Sequence, residues 1–267
     1  MKIALLSGSI SNNFAATIIL KLKQQRNNVS IVIVKKRYVI KNIKRMIRKY
    51  GLKDAITKGL NKFVPGKFYK KDNQPSYLRN YLENLGYNPA IRLKDVIKNN
   101  NIPCISVHDI ADDKSLSHLR SIKPDIIIYT GGGIIRKGLL KVPKIGILNA
   151  HMGLLPKYRG MNVLEWSLFN NAPIGITVHF IDKGIDTGDI LLRKAIPIKR
   201  GDTIENLRSK SQPLSVDALA EVVNKLRNGA IQPIKQKDED GKQYFVMHKR
   251  LKDLVAEKLQ ELPANKD

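Results

Sequence analysis

Sulfur chemistry is nearly absent from this sequence. Cys104 is the one cysteine among 267 residues, which excludes an intramolecular disulfide and a cysteine-cluster metal site. Its expected role is that of a small buried hydrophobe in a reducing compartment. Aromatic residues make up only 6% of the chain, leaving few rings on which nucleobases would stack. No apolar run approaches membrane-spanning length, and the run Ile3-Ala4-Leu5-Leu6 is too short for a signal peptide, so a cytoplasmic protein is expected. The Gly-x-Gly-x-x-Gly fingerprint of dinucleotide sites is missing, as are repeats and low-complexity runs. Acids are scarce: 23 Asp and Glu stand against 48 Lys and Arg, a net charge of +25. Residues 35–72 concentrate this imbalance, with 14 basic residues and two acids, Asp54 and Asp72. A basic surface for a phosphate-bearing substrate, nucleic acid or membrane would explain it. A chain rich in Lys, Ile and Asn throughout explains much of it without any partner.

What is present reads as an α/β protein. Apolar residues are 42% of the chain, and this length holds one large domain, or one domain with a small appendage. Residues 2–7 read as a first strand, followed by the small polar loop Gly8 to Asn13 and a helix from Phe14 to Lys23. Further strands are expected at 31–34, 102–107, 126–129, 145–148 and 175–180, with helices between them. Ile40, Ile43, Met46 and Ile47 recur at helical spacing, as do Tyr77, Leu78, Tyr81, Leu82 and Leu85. An antiparallel segment is expected at 194–198, then a long helix capped by Asp202 or Thr203 and a final basic helix over 251–259. The pattern predicts a doubly wound, Rossmann-like, mostly parallel sheet with helices on both faces. A catalytic domain would span 1–200 with a basic helical insertion at about 36–90, and a small α+β extension would span 201–267.

The chemistry-bearing residues gather between Gly146 and Leu192. A strand continuing through Asn149-Ala150-His151 would project Asn149 and His151 from one face. The Asp182 to Asp189 turn follows the second strand. An amide can hold a carbonyl oxygen that becomes an oxyanion, a histidine can move a proton near neutral pH, and a carboxylate can fix that proton. None of these is a nucleophile, which suggests direct attack of an acceptor on a carbonyl. Turn chemistry and capping would account for the same residues. Gly131-Gly132-Gly133 lets backbone approach a flat ligand, at a cost in conformational entropy that invites a functional return.

Asn149-Ala150-His151, Leu154-Leu155-Pro156-Lys157-Tyr158-Arg159-Gly160, Val178-His179-Phe180 and Ile185-Asp186-Thr187-Gly188-Asp189 together resemble the signature of the folate-dependent formyltransferases. Four ordered matches over so short a span are far more specific than any one alone. Met152-Gly153 departs from the Pro-Ser pair common there, away from the catalytic positions. The resemblance implies formyl transfer from N10-formyltetrahydrofolate to a primary amine, without a metal, and assigns Asn149, His151 and Asp186 as catalytic. It implies that Asp186 keeps His151 charged. It places the pterin ring against Gly132, Gly133, Ile134 and Ile135 and against Asp182, Gly184 and Ile185. Gly8, Ser9, Ser11 and Asn12 are similar to the loop that receives the substrate phosphate in glycinamide ribonucleotide transformylase, with Ile10 where that loop has glycine. An ordinary turn with Ser11 or Asn12 as helix cap is the competing reading. Arg159, in the loop beside His151, is expected to touch the acceptor.

Within the family, an elaborated insertion and the short stretch after Gly188 favour a nucleotide-linked amino sugar as acceptor. Methionyl-tRNA and glycinamide ribonucleotide are alternatives, as is hydrolysis of the folate by water. Outside the family, a basic nucleic-acid-binding protein on the same scaffold remains open, as does homo-oligomerisation.

Overall fold

Ile3-Ala4-Leu5-Leu6 and Ile126-Ile127-Ile128 show no alternation of apolar and polar residues because both strands are covered on both faces. In a computed structural model that describes residues 1–36 and 76–261, these segments are β1 (Ile3–Ser7) and β4 (Ile126–Thr130), paired in parallel. With β2 (Val29–Lys35), β3 (Cys104–Val107), β5 (Gly146–His151), β7 (Gly175–Phe180) and β8 (Ile190–Ala195) they form a seven-stranded sheet of order β3-β2-β1-β4-β5-β7-β8. The first five strands are parallel; β7 is antiparallel to both β5 and β8. This is the expected Rossmann-like α/β architecture. A second sheet is small: β6 (Tyr158–Gly160) pairs in parallel with β9 (Lys242–Tyr244).

Because side chains alternate along each strand, the sheet has two cores. Ile3, Leu5, Val32, Val34, Ile126 and Ile128 face one cluster. Ala4, Leu6, Ile31, Ile33, Ile127 and Ile147 face the other, against Leu116 and Leu119 of α4 (Asp113–Ile122) and Leu139 of α5 (Lys137–Leu140). The first cluster is closed by α1 (Asn13–Gln24), α2 (Tyr77–Asn84), α3 (Leu93–Asn99), α6 (Val163–Phe169) and α7 (Ile204–Arg227). Thr203 caps α7 by accepting a hydrogen bond from the Asn206 amide at 3.1 Å, and the helix runs on through Pro213. Leu207, Val216, Ala218, Leu219, Val222 and Val223 on this helix are buried in the same cluster as Ile3 and Leu5. The segment expected to begin an extension at 201 therefore packs into the main core. The helix α8 (Lys249–Glu261) ends the described chain, with Val255 and Leu259 buried.

Several expectations shift. Cys104 is exposed at the start of the edge strand β3, not buried, because an edge strand this short has only β2 as a sheet neighbour. Of the segment expected at 194–198 only Lys194 and Ala195 are strand: β8 runs from Ile190 to Ala195 along its ladder with β7. Of the expected insertion at 36–90, residues 37–75 lie outside the described residues, and most of the basic run lies with them. The part that follows supplies α2, whose Leu78 and Leu82 are buried. Among the described residues, no helix is long and apolar enough to cross a membrane.

Candidate active site

The strand β5 does continue through Asn149 and His151, and the antiparallel turn of the sheet at β7 completes the pattern. The register pairs Asn149 with His179 and His151 with Thr177, so two polar pairs lie across neighbouring strands. Asn149 Nδ2 stands 3.2 Å from His179 Nε2. His179 Nδ1 donates to the Phe180 carbonyl at 2.8 Å, so in the neutral ring Nε2 carries the lone pair and accepts from the Asn149 amide. Thr177 hydroxyl donates to the Gly153 carbonyl at 2.6 Å and accepts from the Leu155 amide at 3.1 Å, which holds the 153–155 loop down on β7.

Asp186 reaches this pair from the turn after β7. Its Oδ2 lies 3.3 Å from His151 Nδ1 and its Oδ1 lies 3.5 Å from His179 Nε2. Gly160 N–H donates to Oδ2 at 2.9 Å. Asp186 takes a left-handed backbone conformation, φ 55°, which aspartate tolerates better than most residues. Gly160, at φ 96°, is also left-handed, and a β-carbon there would overlap the Tyr244 carbonyl oxygen. A glycine is thus required where the chain presents its amide to Asp186.

His151 is only 7% exposed, and its Nε2 donates to the Tyr158 carbonyl at 2.9 Å. Burial drives its pKa below the ordinary imidazole value; attraction to Asp186 and the Tyr158 hydrogen bond offset this only in part. The geometry fits the charged ring, with Nε2–H on the Tyr158 carbonyl and Nδ1 at 3.3 Å from Asp186 Oδ2, and burial works against that charge. Burial alone would raise the Asp186 carboxyl as well. It is nevertheless held below the usual carboxylate range by a hydrogen bond from His179 when that ring is protonated at Nε2, by the charge interaction with protonated His151 and by the Gly160 N–H.

A cavity of about 310 Å³ opens beside Asn149, His179 and Asp186. Gly133, Ile134 and Ile135 line one side and Asp182, Gly184 and Ile185 the other, with Tyr129, Ile181 and Lys183 completing it. Six of the seven residues expected around the flat ligand thus share one cavity. The seventh, Gly132, packs elsewhere: a β-carbon on it would stand 2.8 Å from Ile110 Cγ2, and its amide nitrogen lies against Gly8. Ile134 and Ile185 are 79% and 51% exposed, so the protein's own folding leaves these apolar side chains uncovered.

The Gly8–Asn12 loop lies beside the triple glycine. Asn12 Oδ1 caps α1 at the Ala15 amide, 3.1 Å away, while Nδ2 donates to Ser7 Oγ and the Thr130 carbonyl at 3.1 and 3.2 Å. Ser9 Oγ accepts from the Ser11 amide at 3.2 Å. The Asn12 side chain is committed to holding β1, β4 and α1 together, as the capping alternative has it. Arg159 also turns inward. It is 5% exposed, donating from Nε to Gln236 Oε1 at 3.4 Å and from Nη2 to the Lys237 carbonyl at 2.7 Å. Its guanidinium meets the chain around residue 236 instead of the open face where the acceptor was expected.

Two contributors were not singled out as site residues from the sequence. His179 sits in the Val178-His179-Phe180 motif and shares a strand face with Thr177; the alternation of β7 was the available signal. Gln236 donates to the Asp186 and Gly188 carbonyls at 3.0 and 2.6 Å. It lies 50 residues from Asp186 in sequence, and no local pattern marks it.

Comparison with known proteins gives a consistent result. A family model described as formyl transferase matches residues 1–223. The methionyl-tRNA formyltransferase of Thermodesulfovibrio yellowstonii is 37% identical over 152 residues, covering 56% of this chain and 49% of the relative. That of Clostridium tetani is 30% identical over 217 residues, covering 80% and 64%. The chain thus spans about half to two-thirds of the length of these curated relatives. A phosphoribosylglycinamide formyltransferase from Bacillus Halodurans has the same fold, with TM-score 0.57 and 20% identity over 86% of this chain and 97% of its own. So does a sugar N-formyltransferase from Shewanella sp FDAARGOS_354, with TM-score 0.57 and 17% identity over 97% and 87%.

Proposed function

Because the chain belongs to the formyl transferase family, we propose that it transfers a formyl group from N10-formyltetrahydrofolate to the amino group of an acceptor. The observation that carries this reading is the convergence of Asn149, His179 and Asp186 on one wall of the 310 Å³ cavity. The cavity suits a flat heteroaromatic donor: Ile134 and Ile185 stand exposed at it, and covering them would remove apolar surface from water. The donor, when bound, supplies the formyl carbon and the nitrogen that leaves.

The roles of the protein's own groups follow from the geometry. Asn149 spends one amide hydrogen on His179, which leaves the second for the carbonyl oxygen as it gains negative charge. Asp186, ionised, accepts the proton that the attacking amine must lose, directly or through water, and returns it to the leaving nitrogen. His151 stands behind Asp186 with Nδ1 at 3.3 Å and donates to the carboxylate only when its ring is protonated, because Nε2–H is spent on the Tyr158 carbonyl. Tyr158 and Phe180 carbonyls fix both imidazoles in one orientation.

The acceptor is the finer question. Length and insertion suggested an amino sugar, but relatives at 37% and 30% identity are methionyl-tRNA formyltransferases, and a net charge of +25 suits a polyanion. Methionyl-tRNA is therefore the acceptor we rank first, with a nucleotide-linked amino sugar second. The test is an acceptor screen with purified protein and N10-formyltetrahydrofolate, following release of tetrahydrofolate by absorbance. Formylation of methionyl-tRNA that weakens steeply with added salt is the expected result. Turnover on amino sugars alone would reverse the ranking. Formate release with no acceptor would make the protein a hydrolase, and no reaction of any kind would end the enzyme reading.

A further inference from the structure

Asp186 is held by a part of the chain that the matched family region, residues 1–223, does not include. Its carboxylate accepts from the Gly160 amide, and Gly160 is kept in place by β9, where Met161 N–H donates to the Tyr244 carbonyl at 2.9 Å. Its backbone is held by Gln236, whose Nε2 donates to the carbonyls on both sides of the turn, Asp186 at 3.0 Å and Gly188 at 2.6 Å. Ile234, two residues earlier, exchanges two backbone hydrogen bonds of 2.8 Å with Ile190 and so fixes the strand entered from that turn. Gln236 is itself oriented: Arg159 Nε donates to its Oε1, and Arg159 Nη2 donates to the next carbonyl, Lys237. The salt contact of Arg159 with Asp238, at 3.8 Å to a fully exposed carboxylate, adds little to this.

A carboxylate in a left-handed turn has no helix or strand to fix it, so its direction depends on the bonds that grip its own backbone. We infer that Gln236, oriented by Arg159, is a positioning residue that sets where the Asp186 carboxylate points, so that residues 234–244 complete the site from outside the matched region. Gln236 touches neither the cavity nor a reacting atom; it acts through Asp186. Arg159, expected at the acceptor, serves this clamp. The inference rests on the proposed formyl transfer for its kinetic consequence but not for its structural one.

The test compares the wild type with Gln236→Glu, which keeps the size and loses the Nε2 donor, and Gln236→Ala. Gln236 is only partly buried, so both variants are expected to fold. Ring-nitrogen NMR should show the His151 resonances displaced in both variants in the sense produced by Asp186→Asn, with His118 unmoved. Formyl transfer should fall about tenfold in kcat, with KM for the donor changed less than about twofold, and the same substitutions placed on Asp186→Asn should cause less than about a twofold further loss. An unmoved His151 resonance, or full additivity with Asp186→Asn, would overturn the inference. If one variant fails to fold, the other decides by the same readouts. If the wild type transfers no formyl group to any amine, the functional reading falls while the His151 resonances still decide whether Gln236 sets Asp186.

Discussion

Asn149 and His179 are register partners across β5 and β7, and their side chains meet at 3.2 Å over the cavity. Each orients the other: His179, tied to the Phe180 carbonyl, presents a lone pair, and Asn149 must turn its amide nitrogen toward it. The direction in which Asn149 offers its remaining N–H is thus set by its neighbour and not by the substrate.

Asn149→Ala is expected to keep the fold and lower formyl transfer by ~10²–10³, the usual loss on removing one preorganised donor to a developing oxyanion. Steady-state kinetics beside a far-ultraviolet circular dichroism spectrum check it. Activity within about threefold of wild type would remove Asn149 from the mechanism.

Acid should weaken the fold in two stages. His151 and Asp186 both bind their protons more weakly in the folded protein than their ordinary values. Each contributes stability that is complete above the unfolded pKa and lost as pH falls through the folded one. For His151 the loss begins below 6.5, where the unfolded imidazole takes up a proton that the buried site resists. For Asp186 it begins below 3.8. Urea midpoints measured from about pH 8 to about pH 5 should fall for the wild type and fall less for His151→Gln. Parallel curves for the two proteins would contradict this.

Gly160→Ala forces a β-carbon onto the Tyr244 carbonyl at a left-handed backbone position. A loss of about 2–3 kcal/mol in unfolding free energy is expected, together with reduced transfer, because the amide given to Asp186 must move. Equilibrium urea denaturation reads the first effect and turnover the second.

Leu207→Ala tests whether α7 belongs to the main core. Leu207 is fully buried among residues of β1 and α1, and a truncation there should cost about 2–5 kcal/mol. A loss well under 1 kcal/mol would mark α7 as a separable appendage.

The strands at the centre of the sheet were legible because an apolar run buried on both faces needs no information beyond itself, as in Ile126-Ile127-Ile128. Asn149, His151 and Asp186 were legible as motif positions, and the structure brings them together. The protonation of His151 was not, since it depends on how much water the fold removes, and spacing carries no record of that. Arg159 was misplaced for a related reason. Its sequence neighbours include the site, but the carbonyls that capture its guanidinium come from the chain around residue 237. Cys104 reads as buried because a lone free cysteine usually is, whereas its position depends on which strand ends at the edge of the sheet. Local pattern identifies what a residue can do; partners distant in sequence determine what it does.

The pairing of β6 with β9 also has a consequence for the order of events at the ribosome. Most of the sheet can assemble as soon as β8 has emerged, yet the glycine amide that steadies Asp186 finds its own support only after Tyr244 has been made. A nascent chain stopped short of that residue would carry Asn149, His151, His179 and Asp186 and still lack the finished arrangement.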